Sequence, residues 1–273
     1  MRAVEGRVPF RGFETWYRDV GPEDGVPLLC LHGGPGSTHH YFEPLEQLAA
    51  GGRRLVVYDQ LGCGNSDRPD DPELWTLALF LDEVQTVRDE LGLDRIHLLG
   101  TSWGSMLAIE YVLGKPAGLV SLTLNAPPTA AETWAAEASR LRAPLAEDEA
   151  VAEKQFARRH VCRLDPLPEC VERGLAGRNK QVYKVIWGEQ EWRPTGRLRE
   201  WDVRPRLPEI DLPTLITSGR YDICTPVLAA EALRGIGGSE WVLFQESSHT
   251  AFVEEPQLYR AVLAGFLDRA EAA

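Results

Sequence analysis

Long apolar runs, an excess of basic charge and regularly spaced cysteines are all missing from this 273-residue chain. No stretch approaches the ~20 apolar residues a membrane-spanning helix needs. The opening segment MRAVEGRVPFRGFETWYRDV has no apolar core of the kind a secretory signal carries. Neither insertion in a membrane nor export is expected, and the default compartment is the cytoplasm. Lys and Arg number 29 against 41 Asp and Glu, a formal net charge of −12. Such a chain repels phosphate backbones, which argues against a nucleic-acid partner. The acidic field would favour cationic substrates, although solubility alone accounts for it. The five cysteines, Cys30, Cys63, Cys162, Cys170 and Cys224, are odd in number and irregular in spacing, so no disulfide framework is read from them. His160, Cys162 and Cys170 cluster without the paired spacing of a zinc site, and no metal is expected there. Internal repeats and low-complexity tracts are absent.

The length suits one large α/β domain, or a core domain with an insertion. Apolar, β-rich runs fall at 15–20, 26–33, 53–60, 95–100, 119–127, 213–219 and 241–245. Helical patterns fall between many of them, at 41–50, 74–92, 105–114, 227–236 and 256–270. Gly92 reads as a helix terminator. Strands alternating with helices predict a mostly parallel sheet covered on both faces. The alternation breaks between about 128 and 208, where alanine- and charge-rich helical segments are punctuated by Pro144, Pro166, Pro168, Pro194, Pro205 and Pro208. The expected organisation is an α/β core of residues 1–127 and 209–273, with residues 128–208 inserted as a helical cap.

The segment GTSWGS, residues 100–105, stands where a strand pattern gives way to a helical one. Glycine on both sides of Ser102 suits a sharp strand-to-helix turn that exposes a hydroxyl beside a helix N-terminus. The alternative is a helix N-cap serine. A serine nucleophile needs a base and an orienting acid. In an α/β-hydrolase sheet these follow in the order Ser, Asp or Glu, His, each past the end of a later strand. Asp222 follows PTLITSG and His249 follows WVLFQ, so both fall at the carboxyl edge where sites form. A turn aspartate and a packed loop histidine are the bland alternatives. His97 lies within a strand and His160 within the insertion, and both fit a base less well; His39 and His40 open a helix that could line the site. HGGPG, 32–36, turns backbone amides toward a reacting carbonyl or is a plain Gly-Pro turn. The residue after the nucleophile, Trp103, should supply a second oxyanion amide. YDQLGCGNS, 58–66, reads as scaffold near the site.

Taken in order, HGGPG, YDQLGCGNS, GTSWGS, LPTLITSGRYDICTP and ESSH resemble the proline iminopeptidase family of α/β hydrolases. The likeness covers nearly the whole chain outside 128–175. RNKQVYKVIWGEQEWRPTGRLREWD, 178–202, is similar to the cap segment of the tricorn-interacting aminopeptidase type. The resemblance implies an α/β-hydrolase fold with an inserted cap and no metal or organic cofactor. It implies Ser102 as nucleophile, Asp222 as acid, His249 as base, and Gly34 and Trp103 as oxyanion amides. It also implies that Glu191, with Tyr183 beside it, grips the free amine of a short peptide or small-molecule substrate. The activity implied is release of an N-terminal proline or small apolar residue through an acyl-enzyme. One position departs from the pattern: relatives carry a second acid after the catalytic aspartate, and here Ile223 stands there, which makes Glu189 a candidate replacement. An amino-acid amide or ester hydrolase, a general carboxylesterase without a free-amine requirement, and a non-catalytic binding protein are the competing readings. Trp103, Trp187 and Trp192 are expected either to wall a proline-sized pocket or to form cap core.

Overall fold

The fold was obtained as a computed structural model, which describes residues 2–273. Eight strands form one sheet: β1 (Ala3–Phe10), β2 (Phe13–Val20), β3 (Leu28–Leu31), β4 (Leu55–Tyr58), β5 (Ile96–Thr101), β6 (Leu119–Asn125), β7 (Thr214–Gly219) and β8 (Glu240–Phe244). Their order is β1-β2-β4-β3-β5-β6-β7-β8. Strands β3 to β8 run parallel, while β2 is antiparallel to both of its neighbours. The helices are α1 (Leu77–Glu90), α2 (Trp103–Leu113), α3 (Ala131–Arg142), α4 (Glu149–His160), α5 (Glu169–Ala176), α6 (Lys180–Ile186), α7 (Pro226–Gly235), α8 (Ala251–Glu254) and α9 (Pro256–Ala272).

The central strands are buried along their full length because both faces are covered. Period-two alternation divides their side chains between two cores. Leu29 and Leu31 of β3, Val56 and Tyr58 of β4, and Leu98 of β5 pack on the side of α1 and α2. Leu28, Cys30, Val57 and Leu99 pack on the other side, with α9 and the 39–51 segment. Each such buried aliphatic side chain contributes about 1.5–3 kcal/mol, so truncating Leu98 or Leu99 to alanine would cost about 2–5 kcal/mol.

Three local features differ from the sequence expectation. β1 was not foreseen: its AVEGRVPF is broken by Gly6 and Pro9, and only Val8 and Phe10 are buried. An edge strand paired on one side tolerates both residues. The helix expected at 41–50 is a 3-10 helix, His39–Gly51. Pro44, lacking an N–H, sits inside it and weakens the case for regular α-helix. The pattern at 74–92 divides into a 3-10 turn, Pro72–Leu74, and α1, which begins where Thr76 Oγ1 accepts the Leu79 amide at 3.1 Å. Gly92, at φ 61, ends α1 as expected.

Between β6 and β7 lie α3 to α6 and the 3-10 turn Arg204–Glu209, with only isolated bridges, Ala130–Asp202 and Gln190–Arg193, in place of strands. This segment is tied to the sheet edge at several points. Asn179 donates its Nδ2 to Gly62 O at 2.7 Å, and Thr250 Oγ1 donates to Val161 O at 3.1 Å. No helix among the described residues is long and apolar enough to cross a membrane. All five cysteines are buried and free.

Candidate active site

Ser102 occupies the turn between β5 and α2 with φ 56 and ψ −119. That conformation costs a non-glycine residue about 1–3 kcal/mol and persists only where its surroundings fix it. The surroundings explain both flanking glycines. A Cβ on Gly100 would lie 2.1 Å from Gly104 O, and one on Gly104 would lie 2.0 Å from Leu31 O. Strand, elbow and helix approach too closely for any side chain at either position. Ser102 N donates to Asn125 O at 2.9 Å, which anchors the elbow to β6. The serine makes no side-chain cap bond to its helix, so the N-cap alternative fails.

Asp222 is buried just beyond β7. Its Oδ1 accepts the Cys224 amide at 2.9 Å, and His249 Nδ1 donates to the same oxygen at 2.7 Å. Nδ1 is thereby committed, which leaves Nε2 as the ring nitrogen available to a hydroxyl. No hydrogen bond joins Ser102 Oγ to His249 among the described residues; bonds of this kind often tighten only when substrate binds. Burial lowers the His249 pKa, but the charge and hydrogen bond of Asp222, with Glu191 and Glu254 behind them, outweigh it, and the net shift is upward from 6.5. The loop carrying His249 is held by Glu254, which accepts the Ser248 amide at 2.9 Å.

The HGGPG loop lies against the elbow: a Cβ on Gly33 would come within 3.1 Å of Ser102 Cβ. The Gly33 amide is donated to the Tyr41 hydroxyl. Gly34, at φ 118, is the next residue along the turn. Behind it, YDQLGCGNS does more than fill space. Gln60 Nε2 donates to His32 O at 2.8 Å, and Gln60 Oε1 accepts the Trp103 indole N–H at 2.8 Å, so one side chain ties the glycine loop to the elbow helix. Buried Asp59 accepts from His39 Nδ1 at 2.8 Å and from the Asn65 amide at 2.8 Å. His39 is therefore scaffold.

Glu191 and Tyr183 come together as expected. Tyr183 Oη donates to Glu191 Oε2 at 2.6 Å. The second oxygen is taken by a residue the sequence reading missed: the Trp134 indole N–H donates to Glu191 Oε1 at 2.5 Å. The Trp134 ring also meets the His249 ring edge to face, centroids 6.1 Å apart, and is 2% exposed. Burial and the Glu191 charge hold the Tyr183 phenol well above its usual range, so it remains a donor. Among the described residues no Lys, Arg or His pairs with Glu191.

The remaining candidates fall as follows. Glu189 is no replacement acid: its side chain is 70% exposed and pairs with Lys184 at 2.7 Å. Trp103 is buried against Phe80 beneath the elbow, and Trp192 packs on Phe156. Trp187 is also buried, with its indole N–H on Glu191 O at 3.2 Å. The aromatic beside the base is Trp134. His97 lies near the start of β5, bonded to Ser121 Oγ at 2.7 Å and Glu271 Oε1 at 2.9 Å. His160, though in the insertion, reaches the acid loop, with Nδ1 donating to Tyr221 O at 2.8 Å. No cluster of three or more His, Cys, Asp or Glu among the described residues is arranged to hold a metal ion.

A strained serine between β5 and α2, with a bonded Asp–His pair past β7 and β8, defines an α/β hydrolase on this strand order. The family model described as alpha/beta hydrolase fold matches residues 26–256. A Lactobacillus acidophilus relative named proline iminopeptidase is 42% identical, the match covering 98% of this chain and 99% of that one. The crystal structure of proline iminopeptidase from Mycobacterium smegmatis has a TM-score of 0.92 at 35% identity, covering 98% of this chain and 99% of that one. The crystal structure of VinJ has a TM-score of 0.91 at 34% identity, covering 98% of each. The chain belongs to the proline iminopeptidase family, and it is a hydrolytic enzyme.

Proposed function

We propose that the enzyme releases an N-terminal proline, or a small apolar residue, from short peptides or amino-acid amides through an acyl-enzyme on Ser102. His249 Nε2 takes the Ser102 proton as Oγ attacks the carbonyl of the N-terminal residue. Asp222 holds the tautomer and stabilises the imidazolium. The amides of Gly34 and Trp103 receive the developing oxyanion, a donor of this kind being worth about 10²–10³ in rate. His249 then protonates the leaving amine, and a water deprotonated by the same imidazole hydrolyses the ester. Residues 128–208 act as the cap, bringing Trp134, Tyr183 and Glu191 over the edge of the sheet.

One observation carries the exopeptidase reading. The Glu191 carboxylate is half-buried beside the base, bonded to two neutral donors and to no cation among the described residues. Neutral donors orient the carboxylate without cancelling its charge, so the site is prepared for a substrate ammonium. Ile223, buried and apolar, adds nothing to that grip, and this favours a second reading in which an amide or ester is cleaved without a strict free-amine requirement. Turnover of proline, alanine and leucine anilides, each compared with its N-acetylated form, separates the two. The exopeptidase reading expects the free amines to be strongly preferred, with proline foremost; equal or faster turnover of the blocked forms would overturn it. Five free buried thiols suit a reducing compartment, and we infer that the enzyme works in the cytoplasm.

A further inference from the structure

Asn125 is the last residue of β6, the strand between the one that ends at the elbow and the one that leads to Asp222. It is fully buried, and its side chain reaches three ways. Nδ2 donates to Thr101 Oγ1 at 2.8 Å and to the carbonyl of His249 at 3.2 Å. Oδ1 accepts from Thr217 Oγ1 on β7 at 3.0 Å. Its backbone carbonyl accepts the Ser102 amide at 2.9 Å and Ser105 Oγ at 2.9 Å. One residue thus holds the elbow on both sides of Ser102, the strand before Asp222 and the backbone of His249.

We propose that Asn125 is a positioning residue for the hydrolytic reaction, setting the separation of Ser102 Oγ and His249 Nε2 across the sheet edge. The inference rests on Ser102, Asp222 and His249 forming the triad. The bonding pattern calls for a short side chain with two donors and an acceptor, which an amide supplies. Aspartate has no N–H for Thr101 and the His249 carbonyl, and alanine leaves both without their partner. Asn125 lies beneath the triad and acts through it. A misplacement of about 1 Å between reacting groups can cost about 10²-fold in rate, which sets the scale of the effect.

The test uses the full-length enzyme with Asn125→Ala, Thr217→Val and the double variant, assayed below their melting temperatures. Three quantities are read: kcat and KM on a prolyl anilide, and the rate at which a fluorophosphonate labels Ser102. Asn125→Ala is expected to lower kcat about 10- to 100-fold with KM nearly unchanged, and to slow labelling in parallel. Thr217→Val, which removes the anchor of Oδ1 and also the partner of the buried Tyr259 hydroxyl at 3.1 Å, should lower kcat by a smaller factor, and the double variant should be no worse than Asn125→Ala. A kcat for Asn125→Ala within about twofold of the parent, or losses that multiply in the double variant, would overturn the proposal. If Asn125→Ala does not fold, Thr217→Val decides: reduced kcat at unchanged KM supports the role, and unchanged kcat refutes it. Failure of the parent enzyme to label at Ser102 would remove the triad itself. A parent that labels, with Asn125→Ala labelling equally fast, would remove only the role of Asn125.

Discussion

Replacing Glu191 with glutamine isolates the charge from the shape of the amine site. Glutamine keeps an oxygen for the Trp134 indole N–H and turns its amide nitrogen toward Tyr183, whose hydroxyl can accept as well as donate. The local packing should therefore survive. What disappears is the negative charge facing the substrate ammonium. Losing one partner of a fully buried ion pair costs about 3–5 kcal/mol, and an exposed pair is worth about 0–1 kcal/mol. Glu191 is half-buried, so about 2–3 kcal/mol is expected, or roughly 30- to 150-fold in kcat/KM for a free-amine anilide. An uncharged ester, which makes no use of the carboxylate, should change by less than about threefold. The assay is kcat/KM for both substrates in parent and variant, taken at a single pH below the ordinary α-amine value of about 7.7–8.0, so that the substrate ammonium is present in each. Equal losses on both substrates would show that Glu191 only supports the fold. No loss on the amine substrate would show that the ammonium binds elsewhere.

Further outcomes follow from the same geometry. Catalysis needs neutral His249, whose pKa is raised above 6.5, so kcat/KM should fall as pH drops through a value above that of a free imidazole. The sign for stability is opposite: the His249–Asp222 attraction stabilises the fold fully below pH 6.5 and is lost as pH rises through the folded pKa. Asp222→Asn should accordingly lower kcat by about 10³- to 10⁴-fold and cost stability mainly under acid conditions, as urea titrations at two pH values would show. Ser102→Gly should be more stable than Ser102→Ala by roughly 1 kcal/mol, because glycine relieves the positive φ that alanine retains, less its own entropic cost; an alanine variant of equal or greater stability would refute strain at the elbow. Glu83, whose Oε1 accepts from Thr15 and the Leu61 amide while Oε2 is buried without a partner, has its carboxyl pushed up to about 8 by burial. Its unfolded counterpart ionises near 4.5, so stability is lost as pH rises between those values. Glu83→Gln should remove most of that loss, gaining about 2–4 kcal/mol at pH 8 and little at pH 5 in urea unfolding.

The parallel strands were legible because a strand buried on both faces is written as a near-continuous apolar run, as in LLCL and LVVY. The elbow and the Asp–His pair were legible because each sits where such a run stops. β1 was not, since an edge strand with one neighbour admits Gly6, Pro9 and charged residues that erase the alternation. Trp134 lies in an alanine-rich helix with nothing in its local spacing to mark it; only folding places its N–H on Glu191. Asn125 is similar: as the end of LVSLTLN it looks like a strand terminator, and its role arises from the neighbouring strands it joins. Glu189 and Glu191 stand two residues apart in GEQEW, yet one pairs with a lysine at the surface and the other accepts the indole N–H of Trp134, whose ring meets His249. Sequence spacing could not separate them.

The claim on which the rest depends is that Ser102 Oγ carries the acyl group of the N-terminal residue during turnover. Rapid acid quenching of the enzyme with a prolyl ester, followed by mass spectrometry of its peptides, tests it directly. The account predicts a prolyl mass increment on the peptide containing Ser102, absent from Ser102→Ala, which should also be inactive. Sustained turnover by Ser102→Ala, or an increment on any other residue, would contradict it.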